Sequence, residues 1–549
     1  MGKRRGGKSY IVRLARVAVI LALNAAAAYA LWLTWPRDAF DSADPSVAAS
    51  APAANESNAA RARLRGLGQA PRSSASGVLR DVETGARAIV ARWIESAREL
   101  SKNKVHAGNV AVAVCVRELG QPATGEVDLG AGRSLLPASN MKLVTTAAAL
   151  TLLGPKWEFR TRVEAGGPIV DGVLDGNLVL RAAGDPLFDR RADGEVEARF
   201  APLLDALAAR GVTSVRGDVV LDEGAFVDPA PAEQWPGAEQ HWAEYCALAG
   251  GFSVNRGCLA IQVTPRSVGD LANVLVRPLG HGLEERLGVR TVSEGKLIVN
   301  VGAHTGKVVA SGSIPARSGT WSDAVAAPDP VLLFGRVLCS AMERRGIVLQ
   351  GRLTRRRHAP GGETLCVLST PLAEYLEEIN TDSTNAVADQ VLLALGNEIV
   401  GAGSFPAGAR ATKEALVALG VSADGFEQFD GSGLSRGNRV SARQIAALLE
   451  SVASSDAASA RTYLDSLAVS GAQGTLSSRM KNGPAAGRVR AKTGFINGVS
   501  ALSGFVQRED GRTFVFSVLV NYPHVDGLNA NCFKPMQDEL CELLASVKP

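Results

Sequence analysis

The chain has 549 residues, 46% of them apolar and 21% charged, with a net charge of only +4. That length exceeds one simple core, so two or three domains are expected, in a chain of ordinary globular composition. Beyond the first 16 residues the only tight basic cluster is Arg355-Arg356-Arg357, which argues against a nucleic-acid partner.

Lys3, Arg4, Arg5, Lys8, Arg13 and Arg16 precede a charge-free run from Val17 to Trp35. The run approaches the roughly 20 residues that a spanning helix needs, and the cations keep its N-terminus inside. The rest of the chain is therefore expected to be exported, to the periplasm or cell envelope. Residues 1–40 read as a cytoplasmic tail with a transmembrane anchor. Ala28-Tyr29-Ala30 also fits a signal-peptidase site, so a cleaved signal peptide stays open. Residues 41–78, rich in Ala, Ser, Pro and Asn, read as a disordered tether.

Residues 84–100 have helical periodicity, and 109–119 with 125–130 look like an antiparallel hairpin. "LLPASNMK" then opens an apolar helix from Leu143 on. Between 160 and 368 short strand-like runs recur, at 176–184, 217–226, 258–265, 296–302 and 306–312. Helices are expected among them at 196–211 and 330–346. From 371 the pattern is helical again, at 371–379, 385–396, 408–420 and 441–452. Strands return at 499–507 and 512–523, with a last helix near 527–546. The simplest architecture is one discontinuous α/β domain, 79–159 with 369–549, interrupted by a β-rich insertion at 160–368.

The seven cysteines show no CxxC or Cys/His ligand spacing, and the six histidines no HExxH. No metal and no cofactor are expected. Cys246–Cys258 is a candidate disulfide, with buried free thiols as the alternative.

Lys142 sits at the mouth of the apolar helix, three residues after Ser139. Residues i and i+3 share a helix face, so the two side chains should be neighbours. A serine hydroxyl attacks poorly until a base takes its proton, and a desolvated lysine loses pKa. Lys142 is thus a candidate general base for Ser139. Pro137 fits a helix start. S-x-x-K alone is weak and recurs at Ser101/Lys104, Ser293/Lys296 and Ser478/Lys481, yet only Ser139/Lys142 opens an apolar helix. Ser383-Thr384-Asn385 lies at the junction of two helical segments. Lys492-Thr493-Gly494 leads into a strand. The order S-x-x-K, S-x-N, K-T-G is that of penicillin-binding proteins and serine β-lactamases.

On these motifs the chain resembles the class C low-molecular-mass penicillin-binding proteins, the D-alanyl-D-alanine carboxypeptidase/endopeptidases of the DacB type. The resemblance covers about 100–545. It includes "GNLVLRAAGDPLF", "GDVVLDEGAF", "FDGSGLSRGNRVS" and "SGAQGTLSSRM", and a long gap between Ser139 and Ser383 that suits an inserted domain. It implies a transpeptidase-like α/β fold, an antiparallel sheet with helices. Ser139 would be the acylating nucleophile and Lys142 its base. Ser383 would relay a proton to the leaving amine, and Asn385 would hold the substrate amide. Lys492 and Thr493 would meet the terminal carboxylate, with Gly494 and Phe495 completing the substrate site. The backbone N–H groups of Ser139 and Phe495 would form the oxyanion hole. The implied partners are peptidoglycan stem peptides ending in D-Ala-D-Ala, and β-lactams as covalent inhibitors. Two positions depart from the family pattern: Thr384 where Asp is frequent, and Phe495 where Thr or Ser is usual.

Two rivals remain at this level. Gly433-Leu434-Ser435-Arg436-Gly437 fits the G-x-S-x-G elbow of α/β-hydrolases, with His524 as the downstream base. That motif needs a strand before it and a helix directly after. The other rival is a peptidoglycan-binding protein of the same fold with impaired turnover, for which Phe495 is the support.

Overall fold

The computed structural model describes residues 77–121, 125–187, 196–304 and 306–548. The expected anchor and the tether, save Gly77 and Val78, lie outside these residues. Gly77 and Val78 belong instead to the first helix, α1 (Gly77–Leu100). Among the described residues no helix is long and apolar enough to cross a membrane.

After α1 come β1 (Ala111–Glu118) and β2 (Val127–Leu129), a hairpin as read from the sequence. A 3₁₀ turn, Ala138–Asn140, leads directly into α2 (Met141–Leu153). Further on lie α3 (Leu372–Asn380), α4 (Asn385–Val400), α5 (Phe405–Ala418) and α6 (Ala442–Ala453). The chain closes with β3 (Ala468–Val469), β4 (Val489–Ile496), β5 (Val499–Gln507), β6 (Thr513–Asn521) and α7 (Lys534–Ser546). The six strands form one antiparallel sheet in the order β2-β1-β6-β5-β4-β3.

Strand alternation explains how the sheet is covered on both faces. On β6, Val515 and Leu519 pack with Ala113, Cys115, Ala501 and the α2 side chains Leu143, Val144 and Ala147. The intervening Phe514, Phe516, Val518 and Val520 pack on the other face, with Leu79, Val82 and Ala86 of α1 and Leu540 and Leu544 of α7. The register Lys492↔Ser503↔Ser517↔Cys115 puts Lys492 on the α2 face. Gly494, two residues on, shares that face.

Between α2 and α3 a five-stranded mixed sheet runs in the order 353–356, 219–222, 178–181, 158–165, 363–371. The helix Pro330–Arg344 packs in the same core, through Val331, Phe334 and Val337 against Leu180, Val219 and Leu221. A four-stranded sheet of two-residue strands, in the order 348–349, 214–215, 173–174, 169–170, and two three-stranded sheets complete this region among the described residues. All seven cysteines are free thiols, so the candidate Cys246–Cys258 disulfide is not formed. Cys258 opens a strand, its Sγ 3.6 Å from the Arg256 carbonyl, and its thiol packs among Ala247, Ala326 and Ala386.

Candidate active site

Ser139 lies in the 3₁₀ turn rather than on the α-helix expected from the sequence. With three residues per turn, a 3₁₀ turn still stacks i over i+3. Ala138 just before it has φ +47°, a strained setting for a residue with a Cβ. Packing imposes that setting. Gly494 comes so close that a Cβ there would lie 2.8 Å from the Pro137 carbonyl oxygen and 3.2 Å from the Ser139 nitrogen. Only glycine lets β4 press against the Ser139 turn this tightly. Asn140 Nδ2 ties the turn down further by donating to the Lys492 carbonyl at 2.8 Å.

Lys142 is fully buried. Its Nζ donates to Ser139 Oγ (3.1 Å), Asn385 Oδ1 (2.6 Å) and the Ser432 carbonyl (2.8 Å). Three acceptors match three ammonium protons, which explains how the amine is tolerated under an apolar helix. Burial pulls its pKa down to about 8, against the opposing pull of Asp389 and Asp430. When the amine is neutral, its lone pair is 3.1 Å from the serine oxygen, within reach of its proton.

Asn385 is the first residue of α4, and its Nδ2 donates to the Tyr245 carbonyl at 2.8 Å. One turn on, the buried Asp389 accepts the N–H groups of Gly431 (2.7 Å) and Ser432 (2.9 Å) through Oδ1. Asp430 accepts from Gly433 N, Asn438 Nδ2, Ser435 N and Trp235 Nε1, all within 2.8 Å. These two carboxylates shape the 430–438 loop that roofs Lys142.

Lys492 is inside β4, not ahead of it as the sequence reading had it, and is fully buried. Its Nζ donates to the Thr493 carbonyl at 2.9 Å. Burial first, then the nearby Lys142, push its pKa well below the usual lysine range; Asp382 opposes them. Thr493 is half-buried, and Phe495 is 51% exposed. Phe495 lines a cleft of about 710 Å³ with Ser139, Asn385, Trp235, Tyr245, Leu434 and Arg436.

Ser383 stands apart from this cleft. It has φ +71° and lines an adjoining cleft of about 420 Å³ that shares Asn385 and Tyr245 with the first. No hydrogen bond joins it to Ser139, Lys142 or Lys492. Thr384, the first departure from the family pattern, turns away and donates to Glu378 Oε1 at 2.5 Å.

The elbow reading of Ser435 is overturned. Ser435 is fully buried, its Oγ donates to the Glu233 carbonyl at 2.5 Å, and its N–H goes to Asp430 at 2.7 Å. No strand precedes it, and the next helix begins only at Ala442. The hydroxyl fastens the segment around Trp235 to the loop, assisted by the Arg436 N–H on the Gln234 carbonyl at 3.0 Å.

Sequence reasoning missed Asp389, Trp235 and Tyr245. The signal for the last two was present in "EQWPGAEQHWAEYC", an aromatic-rich stretch without strand or helix periodicity inside a β-rich region.

An interrupted helical and antiparallel-sheet fold, with a buried lysine on a serine beside a K-T-G strand, defines a serine acyl-transfer enzyme of the penicillin-binding class. The model of the D-Ala-D-Ala carboxypeptidase 3 (S13) family matches residues 98–543. The D-alanyl-D-alanine carboxypeptidase of Actinomadura sp. (strain R39) is 34% identical over 420 residues, 73% of this chain and 76% of that protein. D-alanyl-D-alanine carboxypeptidase DacB of Haemophilus influenzae is 25% identical over 403 residues, 72% of this chain and 82% of its own. The crystal structure of penicillin binding protein 4 (dacB) from Haemophilus influenzae superposes with a TM-score of 0.67 at 23% identity, covering 79% of this chain and 96% of that one. The chain belongs to the D-Ala-D-Ala carboxypeptidase 3 (S13) family, and its activity is that of a serine D-Ala-D-Ala carboxypeptidase, a hydrolase.

Proposed function

We propose that this enzyme removes the last residue of peptidoglycan stem peptides ending in D-Ala-D-Ala through an acyl-enzyme on Ser139. The observation that carries the reading is the 3.1 Å contact between Ser139 Oγ and the Nζ of a fully buried lysine. With its pKa near 8, Lys142 is free base in roughly a tenth of the molecules at pH 7. In that form it takes the Ser139 proton as Oγ attacks the carbonyl of the penultimate D-Ala. The backbone N–H groups of Ser139 and Phe495 stabilise the oxyanion. The proton then passes from the Lys142 ammonium to the amine of the departing D-Ala as the C–N bond breaks. Water hydrolyses the ester that remains. Asn385 orients the substrate amide.

Lys492 and Thr493 meet the terminal carboxylate, with Gly494 and Phe495 forming the wall beside it. Burial and Lys142 outweigh Asp382 in holding this lysine below its normal pKa, and an arriving carboxylate adds the negative charge that favours its ammonium form. The edge of β4 supports an extended substrate. β3 pairs only with Arg490 and Ala491, so among the described residues no strand pairs with that side of β4 from Lys492 onward. β-Lactams would acylate Ser139 by the same attack. The Haemophilus influenzae penicillin binding protein 4 has been crystallised in complex with a β-lactam.

The charge-free N-terminal segment supports export to the periplasm or envelope, as an anchor or a cleaved signal. The shared sheet, with β1 and β2 from 79–159 and β3 to β6 from 369–549, supports reading 160–368 as an insertion.

The test is release of D-Ala from a pentapeptide, and labelling by a fluorescent penicillin, with full-length enzyme and Ser139→Ala. Both should vanish in the variant; D-Ala release that persists would refute the reading.

A further inference from the structure

Asp389 follows Asn385 by four residues on α4, so both side chains leave one face of the helix. It is fully buried. Its Oδ1 accepts the Gly431 and Ser432 amides, and the Ser432 carbonyl accepts from Lys142 Nζ at 2.8 Å. One carboxylate thus fastens the loop whose carbonyl supports the amine. Its other oxygen, Oδ2, is shut away from solvent with no hydrogen-bond partner. Loop anchoring alone does not require this: an asparagine oxygen would accept the same two amides without burying a charge.

We propose that Asp389 is a positioning residue for acylation: it fixes the carbonyl on which the Lys142 amine rests, and its negative charge sets the pH at which Lys142 gives up its proton.

The proposal rests on Lys142 acting as the base. The groups around the pair are few. Three groups face Asp389: Lys142 on α2, Asp430 in the 430–438 loop and Cys246 in the inserted region. Lys142 in turn faces Lys492 on β4. The Asp430 carboxylate is already taken up by four donors, from Gly433, Ser435, Asn438 and Trp235. Burial and Asp430 push the Asp389 carboxyl upward, whereas Lys142 and the two amides favour its ionised form. In return Asp389 is the first of the charges that hold the Lys142 proton on against burial. Without that charge, burial faces only Asp430.

The experiment is the pH dependence of the second-order rate constant for acylation of the full-length enzyme by a fluorescent penicillin. Asp389→Asn keeps an acceptor for the two amides and removes the charge. Its acid limb should move to lower pH by about one unit, the lower end of what an adjacent opposite charge exerts (~1–3). One unit below the wild-type midpoint, the variant should then run at roughly fivefold the wild-type fraction of its plateau. Asp389→Ala should move the limb likewise and also lower the plateau, because the loop loses its anchor. A folded Asp389→Asn whose limb stays in place overturns the proposal.

Should the variants not fold, the Lys142 Nζ signal of ¹⁵N-lysine-labelled wild-type enzyme decides, assigned by its absence in Lys142→Arg. Two coupled inflections support the proposal, and a single-step titration overturns it. Labelling that survives Ser139→Ala would instead strike the acyl-enzyme reading beneath it, and with it this proposal.

Discussion

Replacing Gly433 by alanine should remove the chemistry and spare most of the fold. Gly433 has φ +86°, and a Cβ there would lie 1.9 Å from the Ala138 carbonyl oxygen and 2.5 Å from its carbonyl carbon. A carbon and a carbonyl oxygen tolerate about 3.3 Å, so loop and turn must part by roughly 1 Å or more. The left-handed backbone adds about 1–2 kcal/mol for a residue with a Cβ. Both sides of that contact carry the site, because Ala138 precedes Ser139 and Ser432 precedes Gly433. Lys142 cannot then keep both its 3.1 Å contact with Ser139 Oγ and its 2.8 Å contact with the Ser432 carbonyl. A misplacement of about 1 Å costs on the order of 10²-fold in rate. The assay is the acylation rate with a fluorescent penicillin, beside a thermal melt of the same sample. A rate down by about 10²-fold with a cooperative melt retained is expected. A Gly433→Ala enzyme that acylates within about twofold of wild type would refute the reasoning.

Lys142→Arg should lower acylation by about 10²–10⁴, since a guanidinium cannot accept the serine proton. Lys492→Arg keeps a cation for the terminal carboxylate and should retain more activity, as a side-by-side KM measurement on a D-Ala-D-Ala peptide will show. Because the neutral amine is the active form, acylation should rise with pH, reach half its plateau near pH 8 and level off about a unit above, approaching a tenfold fall per unit well below it; a flat profile across that range contradicts a titrating base. Ser435→Ala should leave acylation near wild type while lowering stability by about 1 kcal/mol or more, the loss of one buried hydrogen bond, read as a drop in Tm.

Much of this site was legible in the sequence because its chemistry is carried by short, ordered motifs. The Lys142 amine contacts both Ser139 and Asn385, residues of the first two motifs, and Lys492 of the third stands near it on β4. The helices and long strands also followed from periodicity: α1 buries Leu79, Val82, Ala86 and Ile89 on one stripe. What stayed hidden depends on contacts between distant segments. The 3₁₀ turn at Ser139 is held by Gly433 and Gly494, hundreds of residues away in sequence. β4 starts at Val489, ahead of K-T-G, because pairing with Val506 extends it. Trp235 and Tyr245 sit in segments without periodicity and gain their place by docking on Asp430 and Asn385. Asp389 reads as an odd acid in an apolar helix until the loop amides above it are seen. Ser383, named by its motif, opens onto the neighbouring cleft.

The central claim is that Ser139 forms the covalent bond. Full-length enzyme is treated with penicillin, digested, and its peptides sequenced by mass spectrometry. The account predicts a penicilloyl group on the peptide containing Ser139, at Ser139 itself, and none on the peptide containing Ser435. An adduct at Ser435 or Ser383, or acylation unchanged in Ser139→Ala, would contradict it.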